Sequence, residues 1–258
     1  MRFLHLADTH LGFRQFAGRL DPERGINQRE ADVYRAWHHA VEFAVASGVD
    51  AVVHAGDLFD GPRPTPRALA EALDGFARLH AAGIPAIVIA GNHSTPRTRS
   101  GGSVFEVIGR FPGVHAVWEA PRRIDLGGTS FHAVPHADDG AVPRLDLGPG
   151  RNVLIAHGGM DAARATYSEP GAVELDRAAV VSTGVDYAAL GHLHAFAQVG
   201  ENAVYAGSLE RLDFADESAK VLVLADLEGS LSVVPAPFRP VFTVQVALLV
   251  TSPSLKVV

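Results

Sequence analysis

The sequence contains no cysteine. Disulfides, thiolate zinc sites, iron–sulfur clusters and a cysteine nucleophile are thereby excluded, and any metal must be held by His, Asp, Glu or Asn. Lysine occurs only at Lys220 and Lys256, so no phosphate loop closed by a lysine exists. Gly101-Gly102-Ser103 is not a nucleotide loop, and ATP hydrolysis would fall to a partner. No Gly-x-Ser-x-Gly elbow of a serine hydrolase occurs either. Long apolar runs are missing: Val244 to Val250 falls far short of the roughly 20 residues a membrane-spanning helix needs. The N-terminal apolar segment meets Asp8 too soon for a signal peptide, so the expectation is a cytoplasmic protein. Internal repeats and low-complexity segments are absent. The formal charge of -7 argues against a protein coated in nucleic acid, although carboxylates gathered around divalent cations would account for part of it.

What is present is a large apolar fraction, 47% of 258 residues, and 13 histidines. That supports one sizeable core. Phe3 to Ala7, Asp50 to Ala55 and Ala86 to Ala90 are apolar runs of strand length. Between them, residues 28–47 carry Val33, Trp37, Val41 and Val45 at a spacing of four and end at Gly48, which predicts an amphipathic helix. Thr65-Pro66 is an N-cap followed by proline at the first helical position, and Leu69, Leu73 and Phe76 are expected to point that helix inward. This order predicts parallel βαβ units. A short helix is expected over residues 103–110. Strands are expected over 114–118, 123–126, 130–134, 152–156, 187–190, 203–206, 220–226 and 231–234, the last two joined through Glu228-Gly229. The predicted fold is α/β, two mixed sheets packed as a sandwich flanked by helices, with residues 1–240 one domain and 241–258 a final strand or the remnant of the way into a capping domain.

Five of these runs end in polar residues of one chemical kind. Asp8 and His10 follow the first, Asp57 the second, Asn92 and His93 the third, His157 the run at 152–156, and His192 and His194 the run at 187–190. In open α/β sheets the carboxyl ends of strands are where ligands collect. Oxygen and imidazole donors without sulfur suit Mn²⁺, Fe²⁺ or Zn²⁺. In a two-metal site one carboxylate must bridge, and the isolated Asp57 is the candidate. Asp8, His10 and His194 would complete one metal, and Asn92, His157 and His192 the other.

Asp-x-His, Gly-Asp, Gly-Asn-His, a later His and Gly-His-x-His, in this order, resemble the calcineurin-like metallophosphoesterase superfamily over most of residues 1–226. The resemblance implies a double-sheet sandwich, the same ligand set, and His93 as an acid beside the metals. Four stretches look more narrowly like the prokaryotic SbcD-type nuclease subunits of double-strand-break repair. They are Ala7-Asp8-Thr9-His10-Leu11-Gly12-Phe13 with Phe16 nearby, Ala55-Gly56-Asp57-Leu58-Phe59-Asp60, Arg97-Thr98-Arg99-Ser100-Gly101, and Tyr205-Ala206-Gly207-Ser208-Leu209-Glu210-Arg211-Leu212-Asp213-Phe214. The last has no obvious part in metal binding, which makes it the most telling. What this implies is a manganese-dependent DNA exonuclease or endonuclease, with DNA as substrate and an SMC-like ATPase or a second copy of the chain as partner. Two features depart from the pattern. Ser94 stands where these nucleases usually carry Asp, and only 18 residues follow Pro240, too few for their capping domain.

Arg14, Arg97 and Arg99 are candidates to hold a phosphate backbone, and Phe13 and Phe16 to pack in the core or stack on a base. The remaining histidines, His5, His38, His39, His54, His80, His115, His132 and His136, take hydrogen-bonded structural roles by default, with His54 and His136 the best candidates for supporting the ligands. Two other readings stand beside the nuclease: a small-molecule phosphodiesterase or phosphatase on the same metal core, and a scaffold that keeps the fold without catalysis.

Overall fold

The computed structural model describes residues 1–15, 18–95, 101–137, 139–160 and 173–240. Alternation of side chains along the strands fixes the layers. In β1 (Arg2–Leu6) Phe3 faces one buried cluster while Leu4 and Leu6 face another. In β2 (Ala51–His54) and β3 (Ala86–Ile89), Val53, Ile87 and Ile89 point one way and Val52, Ala86 and Val88 the other. Strands buried on both faces are what βαβ crossovers produce. The crossovers are α1 (Gln28–Ser47) and α2 (Pro66–Ala81), and α3 (Val104–Ile108) leads into β4 (Val114–Val117).

Two six-stranded sheets result. The first has the order β12-β11-β1-β2-β3-β4, where β11 (Val221–Asp226) and β12 (Ser232–Pro235) form a hairpin antiparallel to β1. The second has the order β5-β6-β7-β8-β10-β9, made of β5 (Arg122–Leu126), β6 (Thr129–Val134), β7 (Arg151–His157), β8 (Tyr187–Gly191), β9 (Ala197–Gln198) and β10 (Ala203–Tyr205). From β6 to β10 it is parallel, with antiparallel edges. The sheets meet through Phe3, Val53, Ile87, Phe131, Val153, Ile155 and Val223. Phe3 lies edge-on to Phe131 at 5.7 Å and to Tyr187 at 5.5 Å between ring centres, a favoured aromatic geometry. The outer face of the second sheet is covered by a cluster that includes Val180 of α4 (Arg177–Val181).

The helices begin and end as their caps dictate. Asn27 accepts from the amides of Arg29 and Glu30, and Gly48 closes α1 in the left-handed conformation. Thr65 caps α2 and Ser103 forms a capping box with Glu106. Some inward faces differ from expectation. Val45 is 41% exposed while Val33, Trp37 and Val41 are buried: a spacing of four overshoots the helical period of 3.6, so by the third step the side chain has rotated off the buried stripe. In α2 the buried row is Ala68, Ala72, Gly75, Phe76 and Leu79, with Leu69 and Leu73 only flanking it. Small residues there admit Trp37 of α1, whose Nε1 donates to the Glu71 carbonyl at 3.0 Å. The helix over 103–110 is shorter than expected, and α4 and β9 were not foreseen, each being five residues or fewer. Phe16, Arg97, Arg99 and residues 241–258 lie outside the described residues; Phe13 is in the core.

The inter-sheet aromatic contact and the exposed Val45 give opposite expectations for stability. Phe131→Ala should cost about 3–5 kcal/mol, whereas Val45→Ala should stay within about 0.5 kcal/mol of the parent. Urea unfolding of both variants checks this, and equal losses would contradict the layer assignment.

Candidate metal centre

All five polar strand ends lie on one rim, because β1, β2 and β3 of one sheet and β7 and β8 of the other run parallel within their sheets and finish side by side. The backbone there is unusual. Asp8 (φ 50°), His10 (φ 52°), Asp57 (φ 52°) and His192 (φ 105°) are the only non-glycine residues of positive φ among the described residues. Such conformations cost about 1–3 kcal/mol each and persist where surrounding structure over-determines them. The surroundings do so here: the Asp8 amide donates to the Gly56 carbonyl and the His10 amide to the Asp57 carbonyl, both at 3.0 Å. The His192 amide donates across the sandwich to the Asp8 carboxylate at 3.0 Å.

Ligand atoms of Asp8, His10 and His194 lie within 4.8 Å of one another, and so do those of Asp8, Asp57 and His157. Asn92 Oδ1 is 2.8 Å from His157 Nε2 and 3.2 Å from His192 Nδ1, and Asp57 Oδ2 is 3.1 Å from His157 Nε2. The seven candidate ligands are thus one continuous cluster. His93 stands beside it. Its amide donates to Asp57 Oδ1 at 3.0 Å, its Nδ1 is 3.2 Å from the Asp60 carbonyl, and its ring centre is 4.6 Å from that of His10.

The electrostatics follow from packing these groups away from water. Burial pushes the Asp8 carboxyl up to about 7, aided by the Asp57 charge and opposed by His157 and His10. Asp57 is just as buried, but the charge and hydrogen bond of His157, with help from His10 and His93, more than offset burial and hold it well below the carboxylate range. Burial pulls His157 down, but Asp57 and Asp8 carry it above its ordinary value. Without metal the centre therefore holds protons: one shared into a buried Asp57–His157 ion pair and one on Asp8 near neutrality.

Two observations show that the donors fit divalent cations. First, His10 Nε2 is buried without a hydrogen-bond partner, a costly condition for a polar group. Second, the ring nitrogens facing away from the cluster are engaged, His157 Nδ1 with the Ala55 carbonyl at 2.8 Å and His10 Nδ1 with Asp60 at 3.2 Å. That is how metal-ligating imidazoles are oriented. Asp60 was not singled out from the sequence. Its signal is the bridge between Leu11 and Phe59, which draws the third residue after Asp57 alongside His10. His10, Asp60 and His93 also form a grouping within 4.8 Å.

The histidines outside the candidate ligand set make other contacts. His54 Nε2 is 2.8 Å from Thr9 Oγ1, and burial pulls its pKa down to about 3, so it is a neutral hydrogen-bonding partner. His136 lies edge-on to His157 at 6.3 Å. His5 meets Tyr187 Oη at 3.0 Å, His132 meets Asn152 at 3.0 Å and His38 meets Glu71 at 2.6 Å, all structural pairings. Ser94 is fully buried with its Oγ 3.4 Å from Asp57 Oδ1, so a hydroxyl does touch the central carboxylate. Arg14 is exposed on the loop after β1.

Because a cation must displace the Asp8 proton, whose pKa is about 7, and the His157 proton, metal affinity should weaken as pH falls through about 7. Calorimetric Mn²⁺ titrations in buffers of different ionisation enthalpy should report proton release that is larger at pH 6 than at pH 8. Heats independent of the buffer would contradict it.

Comparison with known proteins agrees with this geometry. The family model described as calcineurin-like phosphoesterase matches residues 1–196. Among curated proteins, the chain is 31% identical over 224 residues to the DNA double-strand break repair protein Mre11 of Thermoplasma acidophilum, covering 80% of this chain and 56% of that protein. It is 27% identical over 247 residues to Mre11 of Sulfolobus acidocaldarius, covering 90% and 62%. The chain thus spans little more than half the length of these relatives. Among solved structures, the protein TT1561 of Thermus thermophilus aligns with a TM-score of 0.55 at 14% identity, over 91% of this chain and 98% of that one, which shows a shared fold. Since the family match runs through all five polar strand ends, the chain belongs to the calcineurin-like phosphoesterase family.

Proposed function

We propose that this chain hydrolyses phosphodiesters with two divalent cations, one held by Asp8, His10 and His194 and one by Asn92, His157 and His192, with Asp57 between them, and that its substrate is DNA. The observation that carries the reading is the buried Asp57 carboxylate, whose ligand atom lies within 4.8 Å of those of Asp8 and His157 and whose Oδ2 is 3.1 Å from His157 Nε2. Manganese is the expected metal, with Fe²⁺ or Zn²⁺ the other choices this donor set favours.

Cations bound there supply Lewis acidity and a water of lowered pKa. The chain supplies the rest. Asp57, fixed by the His93 amide, presents its second oxygen toward His157. His93 acts as general acid: with Nδ1–H donating to the Asp60 carbonyl, the proton for the departing alkoxide rides on Nε2. Arg14, Arg97 and Arg99 are the residues proposed to hold the phosphate backbone. DNA is favoured over a small ester by the Mre11 relatives and by the stretch from Gly207 to Phe214. A second copy of this chain and an SMC-like ATPase are the partners this reading implies. The second reading, a small-molecule phosphodiesterase or phosphatase, is favoured by the net charge of -7.

Incubating the manganese-loaded protein with duplex DNA and with bis-aryl and mono-aryl phosphates separates the two; ester turnover with intact DNA would reject the nuclease. His93→Ala should keep its metal by elemental analysis while turnover falls about 10²- to 10⁴-fold, whereas Asp57→Ala should lose metal as well. Unchanged turnover in the first variant would reject His93 as the acid.

A further inference from the structure

The stretch from Gly207 onward offers no ligand atom to the cluster, yet it grips the backbone of a residue that does. Gly207 (φ 78°) passes so close to the Gly-His-x-His turn that a Cβ there would lie 2.9 Å from the His194 carbonyl oxygen and 2.8 Å from the Phe196 nitrogen. The next amide, Ser208 N–H, donates to the His194 carbonyl at 3.0 Å. Ser208 Oγ has one proton to give, and the Glu210 carbonyl at 2.7 Å is nearer than the His194 carbonyl at 3.3 Å. The second donor onto His194 is Lys220, whose Nζ lies 2.8 Å from the same oxygen.

Lys220 is a costly choice for that role. It is 2% exposed, and buried ammonium groups are rare unless fully partnered. Its other partners are Ser208 Oγ at 3.0 Å, Ser218 Oγ at 3.2 Å and the Asp216 carboxylate. The loop between residues 211 and 219 is also held by Arg211, which donates to the Glu217 and Ser218 carbonyls at 3.1 and 3.3 Å and stacks on Phe238. Beyond those loop contacts, the lysine adds a charged hydrogen bond to His194.

We propose that Lys220 and Ser208 are positioning residues for His194, fixing the peptide plane from which its imidazole reaches the group formed with Asp8 and His10. This rests on His194 being a metal ligand. Both lone pairs of its carbonyl are occupied, so the backbone at His194 has a single orientation. The other proposed donor set is placed by different contacts, His157 Nδ1 on the Ala55 carbonyl and Asn92 Oδ1 beside His157 Nε2 and His192 Nδ1. Loss of Lys220 therefore disturbs one metal position and spares the other.

The test is a calorimetric Mn²⁺ titration of the full chain, read alongside the electron paramagnetic resonance signal of coupled manganese. The parent should bind two ions. Lys220→Met should weaken one site by about 10- to 100-fold, leave the other within about twofold, and lose the coupled signal at limiting metal. Ser208→Ala, which keeps the amide donor and removes an acceptor for the lysine, should change the same site in the same direction by a smaller factor. Val180→Ala, a cavity variant on the far face of the second sheet, should lower the melting temperature without this asymmetry. Lys220→Met titrating as the parent does, or both sites weakening together, would overturn the proposal. If Lys220→Met does not fold, Ser208→Ala decides alone, and an unchanged titration overturns it. A parent that binds no manganese would remove the ligand assignment itself, a failure visible before any variant is compared.

Discussion

The candidate metal centre depends on how closely the two sheets approach at their common rim. A Cβ on Gly191 would sit 2.0 Å from the Ala55 carbonyl oxygen, and one on Gly56 would sit 2.2 Å from His157 Nδ1. Neither position tolerates a side chain. That contact lets the Ala55 carbonyl, at the end of a strand in one sheet, accept from an imidazole rooted in the other, and so selects which nitrogen of His157 faces the cluster. Sheets set farther apart would take the Ala55 carbonyl out of reach of His157 Nδ1, which now lies 2.8 Å away. The rest of the core, with Phe3 wedged between Phe131 and Tyr187, sets that separation.

Gathering so many polar groups there is unfavourable on its own. Asp8, His10, Asp57 and His157 are each no more than 2% exposed, and three of the four also sit in left-handed backbone. Buried charge of this density survives only when paired or coordinated. The protein pairs what it can, through His157 and Asp57, the His192 amide and Asp8, and the His93 amide and Asp57. What it leaves unpaired at His10 Nε2 is a ring nitrogen that a bound cation would satisfy. The backbone strain has the same origin: positive φ at Asp8, His10 and Asp57 turns the side chains away from the strand path and into the rim.

Much of this was legible because the strands are short, apolar and end abruptly, so the polar residues after them have one place to go. The helix over residues 28–47 was legible from its apolar spacing and from Gly48 at its end, and in the structure Asn27 caps its start. The two-residue strand at Ala197 and the five-residue helix at Arg177 were not, since neither is long enough to show a period. Asp60 and Lys220 escaped for another reason. Each touches the cluster through a contact made between distant segments, and no spacing in the chain records that His10 and Asp60, or His194 and Lys220, become neighbours. The stretch from Gly207 to Phe214 was visible as a pattern without a purpose. In the structure Glu210 pairs with Arg29 of α1 at 2.9 Å, Leu212 enters the core and Ser208 holds His194, so the pattern records a junction between the first helix and the last strand end.

Ser94 shows how the same electrostatics bear on a single substitution within the family pattern. Asp57 Oδ1 already accepts from the His93 amide, and Ser94 Oγ approaches the same oxygen from a position with no exposure to solvent. A hydroxyl there can donate. An ionised carboxylate could only accept, and would add a third buried negative charge beside Asp57 and Asp8, raising the carboxyl that burial already holds near 7. An aspartate at this position would require either a proton or a compensating cation close by. Serine requires neither, so this chain keeps its central carboxylate anchored while the charge to be neutralised stays with Asp8 and Asp57 alone.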